Sequence, residues 1–136
     1  VERVANAFTD PTRGMHVWEA NNGDRWLAGG TYNSLKAVTS GGLTYDITPT
    51  GLTAGTVDAT VNTGYGGAFY GTSFYGQTRP NLGSYGEATT WSLDNWGEYL
   101  VACSYADGKL YEWQLGTGTP AAAITNAPVN CLGLTV

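Results

Sequence analysis

The sequence predicts an all-β fold of antiparallel, four-stranded, propeller-like blades. About two blades are expected, with a long Gly/Tyr-rich insertion between them. Three observations predict this. Residues suited to strands (Val, Thr, Tyr, Trp) alternate with polar ones over short runs, while helical spacing is nearly absent. Twenty glycines punctuate the chain at turn-like intervals. The third is an internal repeat: slid by 74 residues, "NGDRWLAGGTYNS" falls on "WGEYLVACSYADG".

Taken in chain order, "GMHVWEA" and "RWLAGGTY" flank "NNGD", where Asn22-Gly23 can take the positive φ of a tight hairpin. "LKAVTS" and "LTYDIT" continue as strands, completing a first blade-like unit over residues 14–50. A second unit spans residues 88–126. It has strands at "TTWSLD", "YLVACSY", "LYEWQ" and "AAAIT", with Asp107-Gly108 turning the middle pair. In the repeat, Gly23 meets Gly97, Asp24 meets Glu98, Trp26 meets Leu100, Leu27 meets Val101 and Ala28 meets Ala102. One residue inserted at Lys109 carries the match onward, setting Leu35 on Leu110 and Val38 on Trp113. Residues 129–136 are expected to begin a further strand.

Between the units, "YGGAFYGTSFYG" places Tyr65, Tyr70 and Tyr75 five residues apart, each followed by glycine. Neither helix nor strand has that period. Removing this insertion, residues 64–86, from the repeat offset leaves about 50 residues, close to the roughly 40–50 of one propeller blade. A single blade cannot bury both faces of its sheet, so neighbours are expected. The chain opens on Val1 and closes on the strand-like "CLGLTV", which suggests a fragment of a larger protein.

Composition limits what the chain can do. Only 12% of residues are charged, against 42% hydrophobic, so much of the surface is expected to be covered by neighbouring protein. Net charge is −5, and the six Lys and Arg are scattered. Nucleic-acid binding needs clustered cations to displace counterions, so DNA is expected at most as passing cargo. No apolar run approaches the roughly 18–20 residues that span a bilayer, so no membrane association is expected. Cys103 and Cys131 sit in apolar stretches and read as reduced, buried thiols rather than a disulfide framework.

Motifs for chemistry are sparse. His16 is the single histidine, so metal-ligand spacing does not arise, and it reads as an ordinary strand residue. "GYGG" and "GTGT" lack the Gly-Lys-Ser/Thr that completes a phosphate loop. Asp94 and Glu98 are four residues apart, but they flank the turn "DNWGE", where polar residues belong in any case. A hydrolase would need two carboxylates set across a cleft. Neither catalytic residues nor cofactors are expected.

The aromatic residues form two sets. Trp18, Trp26, Trp91, Tyr111 and Trp113 lie in the repeated strands and read as core packing between sheets. Tyr65, Phe69, Tyr70, Phe74, Tyr75 and Tyr85 lie in the insertion. Rings on a glycine-rich backbone can adapt to a surface while burying large area, and Tyr keeps a hydroxyl for hydrogen bonding. This second set is expected to contact another chain or blade. Packing on the chain's own sheet, or sugar binding, are the alternatives.

"RWLAGGTYNSLKAVTSGGLTYDITP" resembles a stretch typical of tailed-bacteriophage virion proteins, and so does "TTWSLDNWGEYLVACSYADGKLYEWQ" followed by "TNAPVNC". In those proteins, too, a glycine-tyrosine-rich insertion separates the two stretches. The similarity covers roughly residues 23–132. It implies a structural part of the phage neck or tail, of the tail-hub, nozzle or DNA-stabilising head-completion type. It further implies propeller-like β domains arranged as a ring of identical copies around the DNA channel, in chains usually much longer than this one. The expected partners are then copies of itself and other virion proteins, and the expected location is the virion, assembled in the bacterial host cytoplasm. An acidic balance would suit a conduit that must not grip DNA. The rival readings are a carbohydrate-binding propeller-like module, such as a lectin or receptor-binding tail part, and a hydrolase on the same scaffold.

Overall fold

The computed structural model describes residues 8–59, 76, 87–116 and 118–136, and among them every regular element is a β-strand. The first sheet comprises β1 (Gly14–Glu19), β2 (Arg25–Gly30), β3 (Leu35–Thr39) and β4 (Thr44–Asp46). The second comprises β5 (Trp91–Trp96), β6 (Tyr99–Ser104), β7 (Leu110–Trp113) and β8 (Ala122–Ala123). Each is an antiparallel meander in which sequence neighbours pair, in the orders β1-β2-β3-β4 and β5-β6-β7-β8. All eight strands expected in the two units are present, but residues 129–136, expected to begin a further strand, form none and instead run along β5. Both turn glycines take left-handed backbone, Gly23 at φ 88° and Gly108 at φ 65°. The two sheets do not close into a ring.

Register refines the repeat. Trp26 pairs with Thr39 and Ala28 with Ala37; in the second sheet Leu100 pairs with Trp113 and Ala102 with Tyr111. The pairings move β2 and β3 together: with Leu35 set on Leu110, the pair Gly30–Leu35 falls on Cys103–Leu110. Backbone bonds from Ile47 N to Leu35 O and from Ile124 N to Leu110 O put those two leucines in the same place. Val38 and Trp113 follow them by three positions, yet they turn to different surroundings. In a pleated strand one position changes the face. Val38 lies opposite Leu27, away from the second sheet, whereas Trp113 lies opposite Leu100 and points into the core.

The sheets stack through a single core. Trp18, Trp26, Ala28, Leu35 and Ala37 of the first meet Trp91, Leu100, Ala102, Tyr111 and Trp113 of the second, with Ile47 and Ala121 at one side. Trp26 and Trp113 meet edge to face with ring centroids 5.3 Å apart, and Tyr45 flanks both rings. Gly30 faces the Trp91 indole so closely that a Cβ there would overlap the ring, and the indole Nε1 donates to the Thr31 carbonyl at 2.6 Å. The sheets stand in the same order. β1 lies along β5, where Trp91 N donates to Arg13 O and Trp18 Nε1 donates to Glu98 O. On the far side Ala121 N donates to Ile47 O, just beyond β4 and just before β8.

Each sheet is followed by a segment that returns towards its first strand. Ile47 N donates to Leu35 O and Gly55 N to Tyr32 O; in the second sheet Ile124 N donates to Leu110 O and Cys131 N to Gly108 O. The same two bonds recur in the same places, so the repeat includes these crossovers as well as the strands. The first crossover ends beside Arg13, whose guanidinium donates to Val57 O and to Asp58. The second ends on β5, where Ser92 Oγ bonds both the N–H and the carbonyl of Leu134, and Asp94 accepts from Val136 N at 2.8 Å.

Candidate interaction surfaces

Alternation along β5 and β6 divides the aromatic residues of the second sheet between its two faces. Trp91, Leu93, Leu100 and Ala102 face the first sheet. Ser92, Asp94, Trp96, Tyr99, Val101 and Cys103 face away from it. Trp91 and Trp96 are five residues apart, an odd number, so they must project to opposite sides. Trp91 is buried, whereas Trp96 is 69% exposed.

The outer face is apolar and open. Trp96, Tyr99, Val101, Leu110, Glu112 and Ile124 line a groove of about 440 Å³, with Leu134 and Val136 of the returning segment at its rim. The first sheet has its own exposed apolar pair on the face turned away from the core, Met15 and Val17 of β1, each more than half exposed. Further along that face Phe8 and Thr12 lie over Gly29, and Val38 is buried. Exposed apolar side chains thus sit on both outer faces, concentrated at the first strand or first hairpin of each sheet. Contiguous exposed apolar surface of this kind marks interaction sites.

The five aromatic residues expected in the core are all buried there: Trp18, Trp26, Trp91, Tyr111 and Trp113. None is available as a platform for a ligand. The six insertion residues expected to make contacts, Tyr65, Phe69, Tyr70, Phe74, Tyr75 and Tyr85, lie outside the described residues. Trp96 and Tyr99 were missed by sequence reasoning. The odd spacing from Trp91 was the available sign.

The polar residues weighed for chemistry are engaged in holding segments together. The Asp94 carboxylate accepts from Val136 N and Asn95 N, and these bonds hold its pKa below the ordinary carboxyl value. Glu98 binds β1 and the turn after it, its carbonyl accepting from Trp18 Nε1 and its side chain from Asn21 N. His16 stacks on Trp18 and lies 2.9 Å from Asn95 Oδ1 and 3.8 Å from Asp94 Oδ1. Among the described residues no three His, Cys, Asp or Glu side chains converge as a metal ion would require. No helix there is long and apolar enough to cross a membrane.

Both cysteines are free thiols, but only Cys103 is buried as expected; Cys131 is half-buried on the second crossover. Cys103 is buried and its Sγ points at the Cys131 carbonyl, 3.5 Å away. Burial, then the neighbouring Cys131 and Asp107, pushes its pKa up to about 11. Burial likewise raises the Tyr111 hydroxyl, which donates to Asp107 at 2.5 Å and secures the β6–β7 turn.

No protein-family model, curated protein or solved structure matches the chain.

Proposed function

We propose that the chain is a non-enzymatic structural subunit of a bacteriophage virion, of the neck or tail, which assembles with copies of itself and other virion proteins. The observation that carries the assembling role is the pair of exposed apolar outer faces flanking one shared core. Such faces ask for protein neighbours, and the low charge content points the same way. The virion assignment comes from the sequence resemblance across residues 23–132.

The finer architecture we infer is that of consecutive propeller blades. Three features support it: the same-order stacking, β1 beside β5, and the recurring crossover from the fourth strand back towards the first. That crossover is the connection a propeller uses to pass from one blade to the next. In such a ring the first strands line the channel, and Glu98 in the β5–β6 turn would present negative charge to passing DNA. The insertion tyrosines, Tyr65, Tyr70, Tyr75 and Tyr85, would reach adjacent virion proteins.

The test is mass spectrometry of density-purified tailed particles produced from a genome encoding this chain. The tryptic peptide from Trp26 to Lys36 is expected in the particle fraction at multi-copy stoichiometry. Finding it only in the soluble lysate would overturn the virion role.

The carbohydrate-binding rival has one observation in its favour, an exposed Trp96 beside Glu112 in an open groove. A repeated sugar site would recur in the first sheet. There, the hairpin positions matching Trp96 and Tyr99 are Glu19 and Arg25. Binding of the isolated chain on a glycan array would favour that rival.

A further inference from the structure

We propose that the outer groove of the second sheet receives a second copy of this chain, which seats the outer face of its own first sheet there, so that copies stack head to tail. This rests on reading the chain as an assembling subunit, and it names the surfaces; it does not depend on the virion assignment or on the insertion.

The contact between the two sheets within one chain supplies the pattern. That contact runs along the first strands, β1 beside β5. The exposed apolar residues on the outer faces occupy the same strands: Met15 and Val17 on β1, Trp96 and Tyr99 at the β5–β6 hairpin. A copy placed in the same sense and order brings its β1 against the free side of β5 and its Met15 and Val17 towards Trp96. The second crossover stops at the rim of the groove, pinned by Ser92 and Asp94, and leaves it open.

One charge contact is complementary in that arrangement. The outward positions of β5 to β7 carry two acids, Asp94 and Glu112, and no base. The outward face of the first sheet carries two bases, Arg25 and Lys36, and two acids, Glu19 and Asp46. Arg25 pairs with Glu19, and Lys36 lies on β3, the strand that stands over β7 when sheets stack in order. Lys36 joins none of the ion pairs among the described residues. The carboxylate of its cross-strand neighbour Asp46 accepts from the N–H and hydroxyl of Thr48. Lys36 is thus placed to meet Glu112 of the next copy. The two docking faces differ from each other, so the association is heterologous. It adds copies until a ring closes or continues as a filament.

The test uses the full chain and its mass in solution. Val17→Glu and Trp96→Glu each change an exposed side chain, and unchanged circular dichroism and melting confirm folding. Each variant alone is expected to remain a single chain at concentrations where the unaltered protein assembles. Mixed in equal amounts they should form a two-chain species and nothing larger, because each retains the face the other lacks. Lys36→Glu should weaken assembly about tenfold, and adding Glu112→Lys should restore it. A single-chain unaltered protein, assembly unaffected by Val17→Glu, or a mixture that stays single-chain would each overturn the proposal. Copies that stack in this way while absent from particles would leave it standing and sink the virion role instead.

Discussion

The two faces of the second sheet have similar chemistry and different occupants. Inside, Trp91 and Trp113 are buried, and each donates its indole N–H to a carbonyl, of Thr31 and of Thr119. Outside, Trp96 and Tyr99 border an open groove with one edge tied down by Leu134 and Val136. A sheet that is apolar on both sides is typical of a middle layer, covered on both sides by other elements. The inner face has such a cover, provided by the first sheet. The difference teaches that the strand pattern suits an interior position, which the proposed stacking would complete with a neighbouring copy.

Truncating the inner face should cost most. Trp113→Ala is expected to lower unfolding stability by about 3–5 kcal/mol, because a cavity replaces a ring packed on Trp26 and Tyr45. Trp96→Ala should change the isolated chain by about 0.5 kcal/mol or less. Denaturant melts of the two variants check the contrast, and equal losses would break it. Next comes Gly30→Val. Its side chain would overlap the Trp91 indole, and a loss of about 1–3 kcal/mol is expected from overpacking.

A smaller contrast lies within the core itself. Trp26 Nε1 is buried without an acceptor, whereas Trp91 Nε1 donates to Thr31 O. Trp26→Phe removes an unsatisfied N–H, while Trp91→Phe strands a buried carbonyl. The second should therefore be worse by about 1–2 kcal/mol. In thiol labelling at neutral pH, Cys131 should react well before Cys103, whose burial and raised pKa suppress the thiolate. Equal labelling rates would mean that the β6 outer face opens freely.

The smallest effect is at the anchor of the second crossover. Asp94 is held below the ordinary carboxyl value by the amides of Val136 and Asn95, so the ionised form is the bound form. Its contribution is present above the ordinary value and lost as pH falls through the lower folded-state value. An NMR titration should show the Val136 amide shifting in that acid window, and Asp94→Asn should abolish the step.

Much of the fold was legible in the sequence because its signals are local. Asn22-Gly23 and Asp107-Gly108 specify hairpins by backbone conformation alone, and alternation separates core from surface within each strand. The burial of Trp18, Trp26, Trp91, Tyr111 and Trp113 followed from that. Register was not legible. The residue inserted near Lys109 fits the longer β6–β7 turn, but cross-strand partners decide that Val38 faces away from the second sheet while Trp113 faces the core. The crossovers at 47–58 and 124–136 have no periodicity, and their recurrence lies in backbone bonds that side chains do not announce. Trp96 was hidden for a related reason. Within "DNWGE" it read as part of a turn, and only its pairing with Tyr99 shows that it projects to the unoccupied face.

The central claim is that the outer face of the second sheet is a covered surface in the working protein. Oxidative footprinting of the tryptophans across a protein-concentration series tests it most directly. Trp91 and Trp113 should be protected throughout, and Trp96 should become protected as the concentration rises. Oxidation of Trp96 at the same rate at every concentration would contradict the account.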